Sequence, residues 1–355
     1  MGHNSMVQMT NVSKSFPGVK ALDNVSFEIA RGEIRALVGE NGAGKSTLLN
    51  ILHGVHSEYE GSVQIDGQQV NFNSAQDAIK YGIAKVHQEI SLVSELSVGQ
   101  NITLGYEPRK GPFIDYKAIH EQANGILQRL RCKFKSEDSL KNLSIGEMQM
   151  ITIAKALFHN AQVISFDEPT AALSSQEVKA LFEIIRELKD NGITIVYVSH
   201  RLDEIFELAD SVTVLRDGRF MGTHQTDQIT REQLIREMVG RDVSAFAVRH
   251  RPRRLDGEVV LEVKNLSVAP HFKNISFCLR RGEILGFAGL VGSKRTDVVR
   301  AIFGADLKTA GEVYIRGEKV EIRSPEQGLA HGIGLIPENR KTQGFVKTLT
   351  NSDNM

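Results

Sequence analysis

The eight residues Gly39-Glu40-Asn41-Gly42-Ala43-Gly44-Lys45-Ser46 fit the pattern G-x-x-x-x-G-K-[ST]. Glycines at these spacings let successive backbone N–H groups turn inward and form a concave set of donors for a phosphate. The lysine brings a positive charge that can bridge two phosphates, and the hydroxyl after it can ligate magnesium. The surroundings suit that chemistry. Glu33 to Val38 is a nearly continuous apolar run that reads as a strand buried on both faces, and Lys45 to Gly54 reads as a helix. A helix N-terminus placed there adds its own partial positive charge. The plain alternative, a glycine-rich turn beside a surface lysine, does not account for a strand before the loop and a helix after it.

A second element with chemical content is Val163-Ile164-Ser165-Phe166-Asp167-Glu168, an apolar strand ending in adjacent carboxylates. Two acids at the end of a buried strand are costly unless they meet a cation. Asp167 is expected to hold magnesium, directly or through water, and Glu168 to polarise an attacking water as general base. A strand-end turn with solvated acids fits poorly with Pro169-Thr170 directly after, at the edge where α/β sheets bind ligands. His200 follows a further buried strand, Thr194 to Val198, and is a candidate γ-phosphate contact. Gln88 holds a similar place after Ile83 to Val86, and each of these two is a weak signal taken singly. Leu143-Ser144-Ile145-Gly146-Glu147 precedes a helical run from Met150 to Phe158. Ser144 with Glu147 reads as a capping box, and a helix start with a nearby glycine can also hold an anion.

These residues need elements to position them. The chain has 355 residues, which suggests two domains, with 41% hydrophobic and 24% charged content, as in ordinary globular proteins. Lys plus Arg and Asp plus Glu are both 43, so bulk charge gives no reason to expect nucleic acid or an anionic membrane as partner. No apolar stretch approaches the ~18 residues of a membrane span, and the N-terminus lacks an apolar signal core. Two cysteines, Cys132 and Cys278, are too few for a disulfide framework or a zinc site and fit a reducing compartment.

An internal repeat organises the chain. The segment starting at Phe27 recurs from Phe277 without a gap, so Gly39 falls on Gly289, Gly54 on Gly304, Gly61 on Gly311 and Gly82 on Gly332, an offset of 250. Residues 1–240 are read as a complete first copy and 258–355 as a partial second, joined by a basic, exposed linker at 241–257. Strands alternating with helices imply an α/β fold with a mainly parallel sheet. Gln176 to Asn191 shows helical spacing and stops at Gly192. The stretch from about 97 to about 160 is taken as a helical insertion, since Ser97 to Leu140 lacks a comparable buried strand.

In family order, Phe16, Gly39 to Thr47, Gln88, Leu143 to Gln149, Val163 to Glu168, Leu173-Ser174 and His200 resemble the A-loop, Walker A, Q-loop, signature, Walker B, D-loop and H-loop of an ABC nucleotide-binding domain. Two fused domains with an LSIGE signature and an AALS D-loop are similar to the ATP-binding subunits of bacterial monosaccharide importers of the ribose, galactose and xylose type. The resemblance implies a P-loop NTPase fold with ATP and Mg2+ as ligands. It implies that Phe16 stacks on adenine and that Gly39, Glu40, Asn41, Gly42, Ala43, Gly44, Lys45, Ser46 and Thr47 cradle the phosphates. Ser46, Gln88 and Asp167 are the implied magnesium contacts, while Glu168, Gln88 and His200 serve catalysis. Ser144, Gly146 and Glu147 would be offered in trans to the nucleotide of a second nucleotide-binding domain or a homodimer partner. The implied partners are permease subunits and, indirectly, a periplasmic sugar-binding protein, with the chain peripheral at the cytoplasmic face of the inner membrane.

The second copy departs from the pattern, with Arg295 at the position of Lys45, Lys294 at that of Gly44 and Glu338 at that of Gln88. By the same offset a second signature, Walker B and H-loop would fall at 392 to 450, beyond this sequence. The expectation is ATP binding with impaired turnover unless two first copies pair. The competing readings are a soluble ABC ATPase without a permease and a catalytically inactive remnant.

Overall fold

The computed structural model describes residues 5–87, 91–171, 173–240, 257–289, 292–337, 343–346 and 348–354. The chain divides into two compact units, Met1–Ala247 and Val248–Met355. Of the stretch read as a linker, only Gly257 lies among the described residues.

The first unit opens with β1 (Ser5–Phe16) and β2 (Val19–Ala30), an antiparallel pair, followed by β3 (Ile34–Val38) and α1 (Lys45–Leu52). Next come β4 (Glu60–Ile65), β5 (Gln68–Val70), α2 (Ala75–Lys80) and β6 (Ile83–Val86). The helical region holds α3 (Val98–Thr103), a small exposed hairpin of β7 (Arg109–Lys110) and β8 (Phe113–Ile114), α4 (Tyr116–Arg129) and α5 (Ile145–Phe158). The chain then alternates through β9 (Val163–Asp167), α6 (Ser175–Asp190), β10 (Thr194–Val198), α7 (Leu202–Leu208), β11 (Ser211–Arg216), β12 (Arg219–Gln225) and α8 (Arg231–Val239).

Two sheets result. One runs β12-β11-β3-β10-β9-β6, parallel except for β12, and the other is an antiparallel sheet ordered β2-β1-β4-β5. Successive side chains of a strand point to opposite faces, and both faces of the parallel sheet are buried. Ile34, Ala36 and Val38 pack with Ile195, Tyr197 and Phe166 into one core that also takes Leu181 and Ile185 of α6 and Ile151 of α5. Leu37, Val196 and Val198 face the other core, shared with Leu48, Leu49 and Leu52 of α1 and with Val7, Val25 and Ile29 of the antiparallel sheet. That double burial explains the near-continuous apolar composition of β3, β9 and β10. Each fully buried aliphatic side chain contributes about 2 kcal/mol.

The helices begin where side chains can take up orphan N–H groups. Ser97, Ser144, Ser174 and Thr230 cap α3, α5, α6 and α8 through capping boxes. α1 starts differently, with Gly44 at its N-cap and no side-chain cap bond, and α7 also lacks one.

The second unit has β13 (Val259–Val268), β14 (Phe272–Arg280), α9 (Arg295–Phe303), β15 (Ala310–Ile315), β16 (Glu318–Val320), α10 (Pro325–Ala330) and α11 (Asn351–Asn354). Its sheet, β14-β13-β15-β16, repeats the order of the first antiparallel sheet. Residues 284–288, which match β3, form no strand.

Candidate functional site

β3 delivers the chain to the loop Gly39–Gly44, where Gly39, Gly42 and Gly44 have φ of 153°, 86° and 100°. Gly44 is needed twice over. Its φ is left-handed, and a Cβ there would lie 2.7 Å from the Ala21 carbonyl oxygen and 2.7 Å from Leu22 Cδ2. With no side-chain cap on α1, its first-turn N–H groups face the loop's concave side and suit an anion. Lys45 Nζ donates to the carbonyls of Gly39 at 2.7 Å and Glu40 at 3.0 Å. Burial pulls the Lys45 ammonium below its ordinary range, and the negative charges of Glu168 and Asp167 oppose that shift. The lysine therefore feels both strand-end acids. Glu40, Asn41 and Ser46 are exposed, Thr47 is partly buried, and Ala43 packs into the core beneath.

The acids stand on β9, whose residue Asp167 is level with Val198 of β10. Asp167 Oδ2 accepts from Lys85 Nζ of β6 at 3.0 Å. Glu168 follows with φ of 49°, and its N–H donates across to the Val198 carbonyl at 2.9 Å. A non-glycine residue held in that region costs of order 1 kcal/mol or more and is a mark of functional positions. His200 Nδ1 lies 3.2 Å from Glu168 Oε1, with the imidazole largely exposed. β3, β10 and β9 are adjacent, so Gly39, His200 and Glu168 emerge from neighbouring strand ends at one sheet edge.

Two features escaped sequence reasoning. Lys85 was read only as part of a strand, and its pairing with Asp167 depends on β6 lying beside β9. The second is Glu204 on α7, 2% exposed, which accepts from Thr170 Oγ1 at 2.7 Å, Tyr197 OH at 2.9 Å and Ser199 Oγ at 2.9 Å. Arg201 Nη1 lies 2.7 Å from the same carboxylate. Burial and Glu204 together push the Tyr197 hydroxyl well above the tyrosine range. This cluster ties the turn after β9 to the turn after β10 and so fixes Glu168 against His200. An exposed-looking Asp-Glu pair at the start of a helix gives no sequence signal for it.

Phe16 closes β1 and is partly buried, with the His56 ring edge-on at 5.3 Å and Lys14 Nζ 5.4 Å from its ring centre. Gln88 falls outside the described residues. Ser144, Gly146 and Glu147 gather at the start of α5. Glu147 Oε2 accepts the Ser144 N–H at 2.8 Å, and Ser144 Oγ accepts the Glu147 N–H at 3.2 Å. Sequence reasoning brought them to a helix start; the carboxylate of Glu177 beside Gly146 is an addition of the tertiary fold.

Magnesium tests well against this donor set. The Asp167 carboxylate already attracts a cation in Lys85, and the Ser46 hydroxyl is exposed at the start of α1. Among the described residues no cluster of three or more His, Cys, Asp or Glu could hold a metal.

Comparison with known proteins agrees with this geometry. Residues 22–171 match the family model described as ABC transporter. The chain is 47% identical over 352 residues to the arabinose import ATP-binding protein of Vibrio parahaemolyticus, covering 99% of this chain and 69% of that one. It is 45% identical to the xylose import ATP-binding protein of Thermoanaerobacter pseudethanolicus, covering 99% and 71%. Among solved structures it is similar to a nucleotide-free ATP-binding cassette from an ABC transporter, with TM-score 0.58, 27% identity and coverage of 67% of this chain and 96% of that one. It is also similar to a dimeric ABC cassette in a post-hydrolysis state bound to ADP and Pi, with TM-score 0.55, 27% identity and coverage of 62% and 99%.

Proposed function

The chain belongs to the ABC transporter family, among the ATP-binding subunits of sugar importers, and from that premise we propose that its first unit binds and hydrolyses ATP to energise monosaccharide import. The observation that supports this most is the emergence of the Gly39–Gly44 loop, His200 and Glu168 from neighbouring strand ends at one sheet edge, with His200 3.2 Å from Glu168.

In this reading Gly39 to Thr47 wrap the phosphates with backbone donors, and Lys45 leaves the loop carbonyls to bridge the β- and γ-phosphates. Phe16 offers its ring face to adenine. Ser46 and Asp167, with Gln88, would hold Mg2+, which when bound neutralises phosphate charge. Asp167, paired with Lys85 here, would be a protein ligand of that ion. Glu168 accepts the proton of the attacking water at Oε1 or Oε2, and His200, 3.2 Å from Oε1, orients that carboxylate and reaches the γ-phosphate. The Glu204 cluster keeps these two groups in register.

The active arrangement is a pair of cassettes, with Ser144, Gly146 and Glu147 of one presented to the nucleotide of the other. The second unit has Arg295 where the first has Lys45, and an arginine fork does not replace a compact ammonium. Two first units placed head to tail would each bring a lysine-bearing cradle to the signature turn of the other. Permease subunits are the membrane partners, docked on the helical region. Among the described residues no helix is long and apolar enough to cross a membrane, which suits a peripheral place at the cytoplasmic face.

The decisive variant is Glu168→Gln. Nucleotide binding should persist while turnover falls about 1,000-fold, as general-base losses do. Unchanged turnover, measured by phosphate release, would overturn the assignment.

A further inference from the structure

His56 is anchored to the helix that begins at the phosphate loop. After α1 the chain folds back, and the N–H groups of Val55 and His56 donate to the Asn50 carbonyl of that helix at 2.8 and 3.2 Å. A helix is stiff over two turns, so the His56 backbone is fixed relative to Lys45 and Ser46 at the other end of α1. From there its imidazole meets Phe16 in a T-shaped contact, with ring centroids 5.3 Å apart and planes at 69°. Phe16 stands at the outer end of a hairpin, closing β1 opposite Val19, which is 59% exposed. Lys14 Nζ lies 5.4 Å from the centre of the same ring. Burial first, then the Lys14 charge, pulls the His56 imidazole below its ordinary range, so a neutral ring meets Phe16 at neutral pH.

The second unit keeps the backbone of this arrangement and none of its three side chains. Ala305 and Asp306 donate their N–H groups to the Arg300 carbonyl, as Val55 and His56 do to Asn50. In the β13–β14 pair, Asn265 N–H donates to Ser276 Oγ and Asn274 N–H to Ser267 Oγ, repeating Asn11 with Ser26 and Asn24 with Ser13. That register puts Val268 at the position of Lys14 and Pro270 at that of Phe16, while Asp306 falls on His56. Asp306 pairs instead with Arg300 at 2.7 Å. The three side chains are lost as a set, in the unit that has Arg295 in place of Lys45.

We propose that His56 is a positioning residue for the nucleobase: it braces the Phe16 ring from the chain just past α1 and so sets the base platform in register with the phosphate cradle at the start of that helix. The inference rests on the reading of Phe16 as the adenine platform and deepens it. A ring free to turn about its side-chain torsions must be ordered when a base stacks on it, and that ordering costs affinity. An edge-on aromatic neighbour restricts the turning beforehand. His56 thus acts on the base through Phe16, and phosphate binding does not need it.

Calorimetric titration of the full chain with a non-hydrolysable ATP analogue and, separately, with inorganic tripolyphosphate divides base from phosphate. Phe16→Ala should weaken the analogue about tenfold, the worth of stacking one base. His56→Ala should weaken it about threefold, the worth of one edge-on aromatic pair. Tripolyphosphate should bind both variants as it binds the parent. In a Phe16→Ala background, His56→Ala should cost nothing further, because the ring it acts through is gone. His56→Phe keeps an aromatic edge and should bind the analogue like the parent. Additive losses in the double variant would overturn the inference. So would an equal loss of analogue and tripolyphosphate in His56→Ala, the mark of a disturbed cradle, or no loss of either. Unchanged analogue binding in Phe16→Ala would bring down the adenine platform itself, and this inference with it.

Discussion

Ile34 and Ile284 occupy the same position in two copies of one strand-loop-helix segment, 250 residues apart. One is 1% exposed and the other 98%. Val86 and Ile336 repeat the contrast at 0% and 94%. The local sequences are equally apolar, so propensity does not separate them. Neighbours do. β3 is paired on one side with β10 and on the other with β11, and helices cover both faces. Among the described residues of the second unit no strand flanks 284–288. A parallel strand exists only when adjacent strands take its N–H and C=O groups. The parts of the second unit whose partners are close in sequence, the antiparallel sheet and α9, take the same form as in the first.

The loop after the strand sharpens the contrast. Lys294 keeps the left-handed φ of Gly44, at 68° against 100°, while the lysine has moved by one position and Arg295 begins α9. If chemistry follows the side chains rather than the turn, Lys45→Ala should weaken nucleotide binding about 100-fold, while Arg295→Ala should leave it unchanged. Equilibrium titration with a fluorescent nucleotide reads both. An equal loss in the two variants would mean that the second unit shares the binding work.

A stability test comes next in size. Ile34→Ala should destabilise the first unit by about 2–5 kcal/mol, the range for emptying a packed core site. Ile284→Ala should stay within about 0.5 kcal/mol. Denaturant unfolding measures both. A large cost at Ile284 would show that 284–288 is packed in solution after all.

The smallest effect concerns pH. His53 caps the C-terminus of α1 where the second unit has Phe303. Burial first, then the charges of Lys85 and His87, pull the His53 imidazole down to about 3. An unfolded chain takes up that proton near pH 6.5, so between 6.5 and 3 the unfolded state binds more protons. Stability is therefore full above about pH 6.5 and is lost as pH falls. At pH 5 the loss from this residue is about 2 kcal/mol. His53→Phe should remove that part of the pH dependence of the first unit's unfolding. An unchanged slope between pH 5 and 6.5 would place the proton elsewhere.

Much of the candidate site could be read from the sequence because its signals are local. Gly39 to Ser46 carry their geometry in adjacent residues, and the strands at 163–167 and 194–198 announce themselves by continuous apolar runs ending in polar groups. The capping boxes at Ser144 and Ser174 are written in four-residue patterns. The strands at the N-terminus were harder. In β1 the buried Val7, Met9 and Val12 stand beside exposed Gln8 and Asn11, and in β2 the buried Val25, Phe27 and Ile29 flank exposed Glu28. Alternating exposure there hides the strand from an apolar-run criterion.

By itself the amino-acid order determined which groups could bind phosphate and which helices would start where, since turn geometry and capping depend on residues within a few positions. Only the folded chain decided what meets what: Lys85 on Asp167, Glu204 between two strand ends, and Glu177 on Gly146. Those contacts join residues 31 to 82 positions apart through sheet order and helix packing. Sheet order is set by which apolar faces can be buried together, and no short stretch of sequence holds that information.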